Sequence, residues 1–88
     1  LAEALAKAGV AAGLPEALAA KLARETVSGA GEMLNRSQAA ASTLRENVTS
    51  PGGTTAAALG MLMAADGLDP LMRKAVEAAA RRSRELAG

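Results

Sequence analysis

The chain has 88 residues and a formal net charge of +1, from ten basic and nine acidic side chains. Half of it is hydrophobic, supplied by 24 Ala, 12 Leu, 4 Val and 4 Met, with no Phe, Trp, Tyr, Ile, Cys or His. That composition excludes a zinc finger, a disulfide framework, a thiol nucleophile and a histidine general base, and it leaves no aromatic platform for single-stranded nucleic acid. The near-zero charge argues against a polyanion partner, and no apolar run reaches the roughly 18 to 20 residues of a membrane span, so neither nucleic acid nor membrane is expected.

Nearly every segment carries helical periodicity, and none alternates with period two. Residues 1–12 form an Ala-rich helix with Leu1, Leu5 and Ala8 in register, and Gly13 stands at its C′ position. Pro15 suits the first turn of the next helix, which spans residues 16–36. There Leu18, Leu22, Gly29 and Met33 make one stripe, while Ala19, Ala23, Thr26 and Ala30 form a groove of small residues into which another helix backbone can press. Gly29 and Gly31 cost about 1 kcal/mol each against Ala unless close packing offsets them.

Residues 37–47 read as a linker followed by a short helical turn around Leu44. A loop follows over residues 48–53, then a helix over 54–65 with Leu59, Leu62 and Met63 as its larger side chains, ended by Gly67. Asp69-Pro70 reads as an N-cap and a first-position proline. The last helix runs to about Leu86, with Met72, Ala75 or Val76, Ala79, Ser83 and Leu86 as its buried stripe, and with Glu77 and Arg81 spaced as an i,i+4 ion pair. The fold class is all-α, a small bundle of four to five helices. A domain this size buries only about 60 to 65% of its unfolded surface, and alanine adds little area per residue. Further burial is therefore expected from a second copy of the chain. Beginning at Leu1 rather than Met, the chain is also expected to be a piece of something longer.

Several patterns have bland readings. Gly29-Ala30-Gly31 opens like a dinucleotide fingerprint, but Leu34 stands where Gly or Ala is needed and no strand precedes it. Asn35-Arg36-Ser37 and Asn47-Val48-Thr49 are chance sequons, and Arg81-Arg82-Ser83-Arg84 is a solvated helix end. The stretch Asn47-Val48-Thr49-Ser50-Pro51-Gly52-Gly53-Thr54-Thr55 is different. Its two glycines clear side chains from a place where backbone N–H groups converge, the helix that follows aligns more of them, and Ser50, Thr54 and Thr55 add hydroxyls. Without the Gly-Lys-Ser/Thr ending of a nucleotide phosphate loop, this is a cradle for a small carboxylate rather than a triphosphate. The residues themselves equally allow an ordinary Pro-Gly turn whose Thr caps the helix.

Val48-Thr49-Ser50-Pro51-Gly52-Gly53-Thr54-Thr55 resembles the signature of the pyrroline-5-carboxylate reductase family. Gly13-Leu14-Pro15, Leu18, Thr26, Gly29 and Met33 are similar to that family's preceding long helix. Leu59, Gly67, Ala75-Val76-Glu77-Ala78 and Arg82-Ser83-Arg84-Glu85-Leu86 are similar to its closing helices. The resemblance implies that residues 1–88 are the C-terminal helical dimerisation and substrate-binding domain of a cytoplasmic reductase of proline biosynthesis. An N-terminal Rossmann domain, absent from this chain, would bind NADPH or NADH. It implies an interlocked homodimer, with rings of dimers left open. It also implies that Ser50, Gly52, Gly53, Thr54 and Thr55 hold the substrate carboxylate, that the Thr55 hydroxyl polarises the ring nitrogen, and that Asn47 and Val48 border the nicotinamide. The chain by itself would be inactive and hold no cofactor or metal. Gln38 and Ala41 stand near places where the family usually has an acidic residue and a proline, so no contact is carried over there. A non-enzymatic helical dimerisation module is the alternative.

Overall fold

The computed structural model describes residues 1–88 as five helices and no strand. They are α1 (Ala2–Ala11), α2 (Glu16–Arg36), α3 (Ala41–Asn47), α4 (Thr54–Leu62) and α5 (Leu68–Ala87). The all-α expectation holds. The chain divides into two units, Leu1–Ala41 and Ser42–Gly88, each of which is described by itself.

The first unit is a helical hairpin whose corner is dictated by Gly13. That residue adopts φ +111°, a conformation that strains any side chain. Its N–H donates to the Val10 carbonyl at 3.0 Å and the Leu14 N–H donates to the Gly9 carbonyl at 3.0 Å, so the last carbonyls of α1 are satisfied in the Schellman pattern. Pro15 is extended (φ −58°, ψ 145°) and sits one position before α2 rather than inside its first turn. Gly9 then allows α1 and α2 to close. A Cβ there would lie 3.2 Å from the Ala19 Cβ and 3.3 Å from the Leu14 Cδ1.

Only the first half of the small-residue groove of α2, Ala19 and Ala23, is buried by this hairpin, while Thr26, Ala30 and the leucine stripe stay exposed. Ala19 and Ala23 are 2% and 3% exposed and are the entire buried core of the chain. Each buried methyl is worth about 0.8 kcal/mol. Leu18, Leu22 and Met33 remain open to solvent. So do Gly29 and Gly31, around which a Cβ would meet nothing within 4 Å, so the close packing expected to offset their cost is not made within the chain. Further along, the Thr26 hydroxyl donates to the Leu22 carbonyl at 2.7 Å. Arg36 pairs with Glu32 one turn away. Helix α2 stops at Ser37, which turns extended (φ −103°, ψ 140°) and accepts the Ala39 N–H on its hydroxyl at 3.1 Å. The linker and short helix expected over residues 37–47 follow from that stop.

In the second unit no two helices pack face to face. Helix α4 ends at Leu62, three residues before the expected limit, because Gly67 begins the next helix instead of closing this one. The backbone returns across the end of α4 so tightly that a Cβ on Gly67 would lie 2.8 Å from the Leu62 carbonyl carbon, and its N–H donates to the Ala64 carbonyl at 2.9 Å. With Gly67 as N-cap, α5 starts at Leu68. Asp69 and Pro70 therefore occupy its second and third positions and not the cap and first position. Proline is still tolerated there, since first-turn N–H groups have no helical acceptor.

The stripe expected to be buried on α5 is instead exposed, with Met72 at 52%, Val76 at 62% and Leu86 at 72%. The helix is nonetheless strongly two-sided. Met72, Val76, Ala79, Ser83 and Leu86 fall within about 40° of one line, and Lys74, Glu77, Arg81 and Glu85 lie opposite. Glu77 and Arg81 do not pair. Arg82 bonds Glu85 at 3.1 Å, and exposed alternatives of this kind differ by less than about 1 kcal/mol. Arg81, Arg82, Ser83 and Arg84 are all exposed, a solvated end as expected. No helix is long and apolar enough to cross a membrane.

Candidate functional site

Helix α3 ends at Asn47, and the chain spends two residues tying itself to that end. The Val48 N–H donates to the Arg45 carbonyl at 3.3 Å, the Thr49 N–H to the Glu46 carbonyl at 3.1 Å, and the Thr49 hydroxyl to the Arg45 carbonyl at 2.6 Å. Residues 50–53 then form a β-turn closed by the Gly53 N–H on the Ser50 carbonyl at 3.1 Å. Pro51 occupies its second position and Gly52, with φ +71°, its third. That is the type II arrangement, which requires positive φ at the third residue and accepts proline before it. Gly53 is extended (φ −86°, ψ −177°) and lies against the turn, where a Cβ would sit 3.3 Å from the Ser50 oxygen.

Gly53 is also the N-cap of α4. Its carbonyl accepts the first helical bond from Ala57 at 3.1 Å, and no side chain caps the helix. The alternative in which a threonine hydroxyl caps α4 is therefore not the one adopted. The N–H groups of Thr54, Thr55 and Ala56 precede any helical acceptor and point out of the helix end. The Gly53 N–H is already engaged, so this glycine shapes the cradle rather than donating into it. Thr55 and Gly53 are half-buried, while Ser50, Gly52 and Thr54 are exposed. Asn47 and Val48, on the α3 side of the same loop, are exposed as well, Val48 by 58%.

No charged side chain occurs from Asn47 through Ala65. The electrostatics of the loop are thus those of the helix end, with partial positive charge at its N-terminus and unpaired donors. Arg45, the nearest basic residue in sequence, lies 3.8 Å from Glu46. Such a site can orient and neutralise a small anion but has no acid or base of its own. It is largely open to solvent in the single chain. The structure brings Ser50, Gly52, Gly53, Thr54 and Thr55 together within one turn and the first turn of a helix. The residue that the sequence reading passed over is Thr49. Its position four residues after Arg45, at a helix end, is the signal for a hydroxyl bonding back to the i−4 carbonyl.

Elsewhere, Gly29, Ala30 and Gly31 lie in the interior of α2, so they form no phosphate-binding turn. No group of three or more acidic residues is arranged to hold a metal ion.

Compared with known proteins, residues 1–86 match the family model described as pyrroline-5-carboxylate reductase dimerisation. The chain is 51% identical over 84 residues to the pyrroline-5-carboxylate reductase of Arabidopsis thaliana, an alignment covering 96% of this chain and 30% of that protein. It is 46% identical over 84 residues to the reductase of Synechocystis sp., covering 96% and 31%. With that of Thermus thermophilus it shares 44% over 86 residues, covering 98% and 32%. The chain spans about a third of the length of the curated relatives that it matches.

Proposed function

The chain belongs to the pyrroline-5-carboxylate reductase dimerisation family, and from that premise we propose that it joins the subunits of such a reductase and binds the substrate through residues 47–55. The observation that carries this reading is the unpaired Thr54, Thr55 and Ala56 N–H groups, presented by a type II turn in a stretch without charge. The carboxylate of 1-pyrroline-5-carboxylate would take these donors, with the Ser50 and Thr54 hydroxyls beside them and Gly52 and Gly53 clearing the approach. The Thr55 hydroxyl would face the ring nitrogen and hold its proton as the imine carbon is reduced. Asn47 and Val48 would border the nicotinamide.

A reduced nicotinamide cofactor, NADPH or NADH, supplies the hydride when bound, and in this reading it is held by a domain outside the 88 residues. What this chain contributes is orientation, since fixing the imine carbon against the donor is where rate is gained in a cofactor enzyme. Pairing of subunits is supported by the apolar faces left open on α2 and α5, where Leu22, Met33, Met72 and Val76 are each about half exposed or more.

The test is Thr55→Val in the full-length protein. The hydroxyl would bond a charged or polarised nitrogen, a contact worth about 1.5 to 3 kcal/mol, so kcat/KM should fall about 10- to 150-fold. Kinetics equal to those of the parent would remove Thr55 from the reaction.

A further inference from the structure

We propose that Thr49 is a positioning residue, holding the loop so that the free N–H groups of α4 meet the substrate carboxylate. The inference rests on the substrate reading of residues 47–55 given above. Thr49 is anchored twice to the last turn of α3, by its N–H on the Glu46 carbonyl at 3.1 Å and by its hydroxyl on the Arg45 carbonyl at 2.6 Å. The second bond is the short one and is partly buried, where water competes less for the carbonyl. The other donor on that carbonyl, the Val48 N–H, is distant by comparison at 3.3 Å.

Position along the chain turns this anchor into a device. Ser50 follows Thr49 directly and opens the turn, its carbonyl receives the Gly53 N–H, and Gly53 is the N-cap of α4. No slack residue stands between the clamp and the turn or between the turn and the helix. The hydroxyl of Thr49 thus fixes where the Ser50 carbonyl sits, and through it where the Thr54, Thr55 and Ala56 donors point. Since its proton is committed to Arg45, Thr49 acts through the loop and not on the substrate. Losing it leaves a loop that must be ordered by the substrate itself. A carboxylate bound alike in ground and transition states then gives a higher KM with kcat preserved.

Steady-state kinetics of the full-length enzyme, with 1-pyrroline-5-carboxylate varied at saturating reduced nicotinamide cofactor, would decide the matter. Thr49→Val should raise KM about three- to tenfold and keep kcat within about twofold, and Thr49→Ser, which restores the hydroxyl, should stay within about twofold of the parent in both. Thr49→Ala carries the same expectation as the valine variant and replaces it if that variant does not fold. A parental KM in the hydroxyl-free variants, a loss confined to kcat, or a serine variant as impaired as valine would each overturn the role. Thr55→Val measured beside them separates the two readings. If it is impaired while Thr49→Val is normal, only the positioning role falls; if both behave as the parent, the substrate reading of the loop falls with it.

Discussion

Val76 stands near the middle of the apolar face of α5 and is 62% exposed in the single chain. Burying a valine side chain completely is worth about 1.5 kcal/mol, so covering the exposed part is worth about 1 kcal/mol per copy. In a symmetric pair both copies contribute the residue, giving about 2 kcal/mol, or a roughly thirtyfold weaker Kd when it is cut back to alanine. Val76→Ala should therefore shift the monomer–dimer midpoint of the 88-residue chain by that factor, measured by sedimentation equilibrium over a dilution series. Lys74→Ala is the control, since Lys74 lies about 160° around the helix from Met72 on the charged side. A Val76→Ala chain that associates as strongly as the parent, or a Lys74→Ala chain weakened equally, would refute the assignment of the covered face. A parent chain that stays monomeric at micromolar concentration would refute the argument from exposure altogether.

Two further predictions concern glycines. Gly67→Ala should destabilise the chain by about 2 to 3 kcal/mol, because the new Cβ would press on backbone atoms of Leu62 and Met61 that cannot swing aside; a melting temperature by circular dichroism equal to the parent's would contradict this. Gly29→Ala should have opposite effects on two readouts. In the isolated helix it gains about 1 kcal/mol of helix propensity, since nothing lies within 4 Å of the added Cβ, but it should weaken association if a second copy presses on that side of α2. Helicity in dilute solution and the dimer Kd measure the two terms separately.

What could be read from the sequence was local. Gly13 after a run of alanines, and Pro-Gly-Gly between two helical patterns, are signals whose cause lies in one or two residues, and both turns are found there. The limits of α2, residues 16–36, are found as expected, although Pro15 precedes the helix instead of standing in its first turn. Errors began where two segments compete for the same residues. Gly67 could close α4 or open α5, and the choice depended on how closely the chain returns over Leu62, which no pattern of periodicity encodes. Burial meets a related limit. A stripe such as Met72, Val76 and Leu86 says which side of a helix is apolar but not which molecule covers it. At the candidate site the glycines and hydroxyls stood out by type, whereas the role of Thr49 depended on a bond to a carbonyl, and backbone carbonyls look alike in a sequence.

Only Ala19 and Ala23 lie inside the chain, and this has a genetic consequence. If the interior of the folded protein is assembled from two copies, an altered residue on α2 or α5 is a defect in its neighbour's interior as much as in its own. Made together with the parental form, an altered chain would draw intact subunits into faulty pairs. Harm would then spread beyond the share of chains that carry the change, and a compensating substitution could restore function from the opposite subunit.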